Sequence, residues 1–386
     1  MNALFSKKTL FVLGLMSGTS GDGIDGTLVR FEADGAYALL WHEFHPFSED
    51  VRKRLQTLMK DGSPDDIARG AGFVAQLYAA AVAHFREKHG DPIDVLAAHG
   101  QTLAHVPDPV IWDGFTIRGT LQVLNAGWLA QEAHLPVIHD FRVRDMAVGG
   151  QGAPLVPYGD LRFFGHVPGD NVILNIGGIA NLTELRRQPR PEIRSAFDTG
   201  PGNMLMDGLV VEMSRGTASF DEDGWLAGSG ITNQPLLKAL LADPFLGQAP
   251  PKSTGRDRFG LSKLASIKKE TGGHLKDIDL LSTLLDFTVL SIAGAIREFV
   301  LPRGPLAHVI VAGGGAKNSE LMRRLQKALD GICLVKDSKT FGVPVMAREA
   351  MAFSALGEAF LRGVPAGVPA ATGAAKPVML GCLTPA

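Results

Sequence analysis

Short apolar runs rich in leucine and β-branched residues alternate along the chain with longer segments whose apolar positions recur at helical spacing. Residues 9–16 (TLFVLGLM) and 26–31 (GTLVRF) flank a turn of small polar residues, which predicts a strand, a tight loop and a returning strand. The same plan returns at 171–176 (NVILNI), Gly177-Gly178 and 179–185 (IANLTEL). A short run at 95–98 ends at His99-Gly100-Gln101. Periodicity predicts helices around 65–88, 127–134, 204–213, 234–241, 279–299 and 320–329, with a strand at 308–312 before the last. Strands alternating with helices make an α/β protein. Two glycine-turn hairpins, each with helices behind it, predict a structural duplication that is a matter of pattern rather than sequence identity. The Gly/Pro-rich tail at 363–377 predicts a covering segment or loop, not a third domain.

Composition narrows this picture. A chain of 386 residues is long enough for two domains around a shared cleft. With 45% apolar and 20% charged residues it has the make-up of a globular protein, not a disordered one. A net charge of −2 argues against nucleic acid or an anionic membrane surface as the main partner. Cys333 and Cys382 are the only cysteines, which supports neither a disulfide framework nor a structural zinc site and fits a reducing cytoplasm. Lys7 and Lys8 ahead of the first apolar run give it a signal-peptide look. That run is short, however, contains Gly14, and meets no small-residue cleavage site before Asp22 and Asp25. No run reaches the roughly 18 to 20 apolar residues of a membrane-spanning helix, so a soluble protein is expected.

Candidate chemistry sits in the loops. Ser17-Gly18-Thr19-Ser20-Gly21-Asp22-Gly23 combines small residues, whose backbone N–H groups can approach an anion, with three hydroxyls. It suits phosphate, although a plain hairpin turn has the same composition. No Walker Gly-Lys-Ser/Thr and no GxGxxG fingerprint is present. Gly313-Gly314-Gly315 lies between a strand and a helix, where amides at the helix start could meet a nucleotide or simply make a tight connection. Phe197-Asp198-Thr199-Gly200-Pro201-Gly202-Asn203 places an aspartate at a strand end before a rigid turn, as a general base or as the cap of the next helix. Gly149-Gly150-Gln151-Gly152 and His99-Gly100-Gln101-Thr102 mix glycine with amide and imidazole groups suited to neutral polyhydroxyl ligands; a structural loop and a satisfied buried histidine remain open for them. His42, Glu43 and His45 lack metalloprotease spacing and are expected at the surface.

Taken in order, LGLMSGTSGDGID, HGQT, DFRVRDMAVGGQGAPLVP, NIGGIANLT, FDTGPGNMLMD, STGR, AGGGAKN, REAMAFSALG and GVPAATGAAKPVMLG resemble the blocks of the anhydro-N-acetylmuramic acid kinase family across nearly the whole chain. The resemblance implies the actin/hexokinase/heat-shock ATPase fold: two related α/β (RNase H-like) domains with ATP and sugar in an interdomain cleft. It divides the chain into 1–141, completed by 355–386, and 142–354. It makes Asp198 the catalytic base. ATP would be held by Gly18, Thr19, Ser20, Gly21, Asp22, Gly23, Ile24 and Asp25, with Gly177, Gly178, Gly313, Gly314 and Gly315 near the nucleotide. His99, Gln101, Gln151, Gly152 and Glu349 would belong to the sugar pocket. Mg²⁺ would accompany ATP, with its protein ligands unspecified. The implied reaction is ATP-dependent opening of the 1,6-anhydro sugar with phosphorylation at O6, a cytoplasmic step of peptidoglycan recycling with no nucleic-acid or membrane partner; a homodimer is compatible with it. Two departures stand out: Gly21, where the family carries Leu or Met, and Leu124, where it carries glycine. A sugar or acid kinase of the same fold, and a non-catalytic actin-like nucleotide switch, remain alternatives at this point.

Overall fold

The first two apolar runs form a hairpin, β1 (Leu10–Met16) and β2 (Gly23–Phe31), paired antiparallel from Leu10↔Phe31 to Met16↔Asp25. The computed structural model containing it describes residues 2–18, 21–187, 189–272 and 274–386. The strands that follow are β3 (Tyr37–Pro46), β4 (Val95–Ala98), the paired β5 (Gln101–Trp112) and β6 (Phe115–Val123), and β7 (Val137–His139). The first sheet runs from the C-terminal strand Cys382–Thr384 through β7, β4, β1 and β2 to β3, while β5 and β6 make a separate two-stranded ribbon. Within that sheet β1, β2 and β3 form an antiparallel meander, and β4 and β7 continue from β1 in parallel.

The second sheet repeats the plan. Its strands β8 (Asn171–Ile176), β9 (Ile179–Arg186), β10 (Glu192–Pro201), β11 (His308–Ala312) and β12 (Leu334–Asp337) lie in the order β10-β9-β8-β11-β12. Again three consecutive strands form a meander and the next two add in parallel beside its first. The duplication expected from two glycine hairpins is thus carried by topology.

Two compact units result, Met1–Arg162 with Ala347–Ala386, and Phe163–Met346. Both divisions differ from the expected 141/142 and 354/355. The helix Arg348–Leu361 belongs wholly to the first unit because it lies directly on β1: the Gly14 N–H donates to Ser354 Oγ at 3.1 Å, and a Cβ at Gly14 would come 2.2 Å from the Ala350 carbonyl oxygen. Only glycine permits so close an approach of helix to strand. Upstream, the helix Val156–Phe164 begins in the same unit and ties to it through the buried pair Asp160–Arg348, at 2.5 Å.

Local signals explain the helix ends. Ser63 and Asp66 form a reciprocal capping box with Pro64 at the first position of the helix Pro64–His89, and Gly90 ends it in the left-handed region at φ 72°. The helix Asp277–Phe299 is apolar almost all round, with Leu280, Leu281, Leu284, Leu285, Phe287 and Ile292 buried, and it forms the centre of the second core. In the first core Leu13, Leu15 and Leu28 meet Val74, Tyr78 and Phe85 of the helix Pro64–His89. The tail is not a loose cover: the Ala375 N–H bonds the Val148 carbonyl at 2.9 Å and Cys382–Thr384 pairs with β7. Among the described residues no helix is long and apolar enough to cross a membrane.

Candidate functional site

The first unit carries the polar loops between β1 and β2 and after β4. Gln101 fastens the former with both ends of its amide: Ser17 Oγ–H donates to Oε1 at 2.9 Å and Nε2 donates to the Gly18 carbonyl at 3.0 Å. The Gly21 N–H closes on Gly18 O at 3.1 Å, with Gly21 at φ 64°, a backbone region that disfavours the Leu or Met expected there. Gly23, Ile24 and Asp25 already belong to β2, and Asp22 is exposed. Thr19 and Ser20 lie outside the described residues. Gln101, expected to touch sugar, is buried and committed to bracing this loop.

His99 is also committed. Its Nδ1–H donates to the Gly100 carbonyl at 2.9 Å, which leaves the Nε2 lone pair to accept from Arg142 Nη2 at 2.8 Å and Nε at 3.2 Å. Burial and the adjacent guanidinium push the imidazole down to about 3, so the ring stays neutral. Arg142 continues the chain by donating from Nη1 to the Gly152 carbonyl at 2.8 Å. Burial brings the guanidinium down to about 10 against the opposing charge of Glu349.

The loop around Gln151 and Gly152 is held from below by Asp145. This buried carboxylate accepts from the Gly152 N–H at 2.8 Å and from Thr372 Oγ1–H at 2.8 Å, while the Gln151 N–H donates to Thr372 O at 2.9 Å. The Gln151 side chain is left exposed. Glu349 stands in the first turn of Arg348–Leu361, half-buried and without a hydrogen bond among the described residues. Burial raises its carboxyl, Arg348 and Arg142 oppose that, and the negative charge of Asp25 adds to it. Asp25 in turn meets His42 Nε2 at 2.9 Å.

His42, Glu43 and His45, expected at the surface, are half-buried there. They belong to β3, and Glu43 binds Lys88 at 2.5 Å and His89 at 2.7 Å, with His84 at 3.5 Å. Burial opposes ionisation of Glu43, but these partners outweigh it and hold the carboxyl down at about 2.

The second unit carries Asp198. It is not at a strand end but inside β10, at a register irregularity between Asp198 and Gly200, and it caps no helix; the residue before Met204–Met213 is Asn203. Asp198 Oδ2 accepts from the Thr254 N–H at 2.8 Å, and the Asp198 N–H donates to Lys252 O at 3.1 Å. Burial pushes the carboxyl up to about 6 against both the Thr254 bond and the charge of Lys252. Lys252 donates to the Phe245 and Leu246 carbonyls at 3.1 and 2.8 Å and sits 4.8 Å from the ring centres of Phe245 and Phe299. Its ammonium is therefore a fixed positive charge near the aspartate, not a group free to pair with it.

Gly177 and Gly178 accept from the Asn203 and Gly202 N–H groups at 2.7 and 2.9 Å, tying the β8–β9 turn to the end of β10. Gly314 and Gly315 form a short 3₁₀ turn with Lys317, and the helix proper starts only at Ser319, capped by Asn318 Oδ1 on the Leu321 N–H at 2.8 Å. The glycines are thus a loop ahead of the helix start. Beside them opens a cavity of about 720 Å³ whose lining includes Asn203, Asp207, Phe220, Gly314 and Lys317. Burial raises the Asp207 carboxyl there to about 7.

A model of the anhydro-N-acetylmuramic acid kinase family matches residues 10–386. The chain belongs to this family. It is 42% identical over 395 residues to the anhydro-N-acetylmuramic acid kinase of Ralstonia nicotianae, covering 100% of both chains. It is 41% identical to that of Shewanella amazonensis, covering 98% of this chain and 99% of the other. Among solved structures, a ROK family glucokinase from Streptomyces griseus in complex with glucose and AMPPNP is similar at 14% identity and TM-score 0.37, over 89% of this chain and 97% of that one. Sequence reasoning passed over Arg142, Asp145, Lys252, Asp207 and Thr372. The available signal was a charge or hydroxyl set among glycines and apolar residues, as in RDMAVGG and PAATGAA.

Proposed function

We propose that this member of the family is an ATP-dependent kinase that opens 1,6-anhydro-N-acetylmuramic acid with water and transfers the γ-phosphoryl group of ATP to O6, in the cytoplasm, as part of peptidoglycan recycling. The observation that carries the reading is Asp198: a half-buried carboxylate, fixed by a backbone N–H, with its proton affinity raised towards neutrality. That is the property of a general base, which works best when its pKa lies near the working pH.

In the substrate O6 is tied to C1, so there is no 6-hydroxyl to deprotonate. Water attacks C1, Asp198 takes its proton, the C1–O6 bond breaks with its electron pair on O6, and O6 takes the γ-phosphoryl group while ADP leaves. One carboxylate thereby drives a step resembling inverting glycoside cleavage, and the phosphoryl acceptor replaces the usual acid at the leaving oxygen.

We assign Gly18 and Gly21 to Asp25, with Gly177, Gly178 and Gly313 to Gly315, to the phosphates, and the cavity beside Gly314 to the nucleoside. Arg142, Glu349, Gln151 and Gly152 are assigned to the sugar, with His99 and Gln101 acting behind them. Among the described residues no three His, Cys, Asp or Glu side chains could hold a metal by themselves. This fits Mg²⁺ arriving with ATP, which takes most of its oxygens from phosphate and water and one or two from protein. Asp25, in the segment assigned to the phosphates, is the carboxylate we assign to it. Mg²⁺ supplies charge neutralisation on the phosphates.

A coupled assay of ADP release tests the proposal. Turnover should require the anhydro sugar and yield a 6-phosphate; ATP hydrolysis unaffected by the sugar would favour the nucleotide-switch alternative.

A further inference from the structure

Antiparallel pairing sorts the side chains of the β5–β6 ribbon onto two faces, because directly opposite residues share a face. Val106 pairs with Gly119, Val110 with Ile117 and Trp112 with Phe115, and nearer the base Ala104 pairs with Leu121. Every paired position on this face is apolar or glycine. The other face carries His105, Thr116, Arg118, Thr120 and Gln122 besides Ile111. Its base is tied together within the ribbon, where Gln122 Nε2 donates to Thr120 Oγ1 at 2.8 Å and that oxygen lies 3.0 Å from His105 Nδ1.

An antiparallel sheet with one solvated face ordinarily turns its apolar side to the core and its polar side to water. This ribbon does the reverse: His105, Thr120 and Gln122 are half-buried, whereas Val106, Trp112 and Phe115 are 60%, 65% and 70% exposed. The hairpin is fixed by its own turn, since Asp113 and Gly114 both adopt positive φ, 48° and 85°, in the two-residue connection that sets strand register. Trp112 and Phe115 alone hold out roughly 300 Å² of apolar surface and the whole face about 500 Å², near the upper end of what a monomer leaves in water. A two-stranded ribbon is marginal by itself, so a face of this kind gains most from being covered.

We propose that the apolar face of the β5–β6 ribbon is an interface between two copies of this chain, related by a two-fold axis with the ribbons antiparallel, so that the Trp112–Phe115 tip of each copy lies over Val106 and Gly119 of the other. Three features select a second copy. No charged side chain stands at a paired position of the face, so a charged partner finds nothing there to complement. The profile of the face is self-complementary: two aromatic rings fill the tip, while an added Cβ at Gly119 would meet only Val106 Cγ2, at 3.2 Å, which leaves a hollow outside it. A two-fold axis places each bulk on the other's hollow. Doubling the face buries about 1,000 Å², the size at which a specific interface begins. A membrane surface fits less well, because Asp108 and Asp113 beside the apolar tip would meet anionic headgroups. The proposal is independent of the chemistry assigned to Asp198.

Sedimentation equilibrium of the full chain from about 0.1 to about 100 μM tests it, with wild type expected to reach twice the mass of one chain as concentration rises. Replacing both Trp112→Ser and Phe115→Ser should raise the dimer dissociation constant by about 30-fold or more, as loss of a central aromatic anchor does. Phe115→Cys mixed with Gly119→Cys should form a disulfide between copies under mild oxidation, identified by mass spectrometry of the linked peptides, and neither variant should link to itself through the new cysteine. A wild-type monomer throughout the range, or a dimer whose dissociation constant the serine pair does not move, overturns the proposal. Phe115→Cys linking to itself in preference to Gly119→Cys overturns the tip-over-base packing. Wild-type monomer that binds vesicles of phosphatidylcholine and phosphatidylglycerol, with binding lost in the serine variant, assigns the face to a membrane instead. Thermal melting checks that the serine variant is folded, and the cysteine pair decides if it is not.

Discussion

Asp198 is set by burial and by two neighbours that act against it. Burial raises its carboxyl, while the Thr254 N–H and Lys252 restrain the rise to about 6. Asp198→Asn keeps size and some hydrogen bonding but cannot take a proton from water, so turnover should fall by about 10² to 10⁴ with sugar and ATP binding nearly intact, read from kcat against calorimetric Kd. Wild-type turnover in that variant would remove Asp198 as the base. The pH dependence has a definite sign. A base works as the carboxylate, and folding moves protonation upward from 3.8 to about 6. The kcat/KM for sugar should therefore be flat above that pH and fall about tenfold per unit below it. An acid limb centred near the ordinary aspartate value would mean that the environment does not perturb the catalytic group. The residue was legible in FDTGPGN; its tuning was not, because Lys252 and Thr254 lie more than fifty positions downstream and reach it only through folding.

At the scale of elements, loops that carry chemistry are held by residues distant in the chain. Asp145 joins the Gln151–Gly152 loop to the short helix Pro369–Thr372 through Thr372. Thr372→Val removes one hydroxyl from a buried carboxylate. It should raise KM for sugar several-fold while leaving KM for ATP unchanged, and equal effects on both substrates would argue that the loop is not a sugar element. The start of the helix Arg348–Leu361 is fixed by Asp160, with both side chains buried. Asp160→Ala leaves the guanidinium without its partner and should cost about 3 to 5 kcal/mol in urea unfolding. A loss below about 1 kcal/mol would show that water reaches the pair. Periodicity announced the helices Pro64–His89 and Asp277–Phe299 almost to the residue, because each needs only its own apolar stripe and caps. It did not announce β3 or the β5–β6 ribbon. Their polar and exposed positions make sense only beside the helix Pro64–His89 and the His99 segment.

For the whole molecule, one strand order used twice accounts for two glycine-turn hairpins with no shared sequence, since the order depends on pleat and crossover rather than residue identity. The chemistry proposed for the molecule predicts its substrate choice. The chain should phosphorylate the 1,6-anhydro sugar and leave N-acetylmuramic acid, with its free 6-hydroxyl, almost untouched, because a base set to activate water against C1 is not set to deprotonate O6. Side-by-side assays at equal ATP check this, and comparable rates would leave a simple sugar kinase in place of the coupled hydrolysis.

The one-dimensional pattern was sufficient for the α/β class, the two hairpins, the limits of six helices and the family. Those features follow from local periodicity, turn chemistry and ordered motifs, which are properties of neighbours in the chain. Folding alone decided which unit receives Arg348–Leu361, that His99 and Gln101 turn inward to brace Arg142 and the Ser17–Gly18 segment, and that the Asp198 carboxyl is pushed up to about 6. Each of these depends on burial and on partners brought from far along the chain, and neither desolvation nor a long-range hydrogen bond leaves a mark on the residues that flank it.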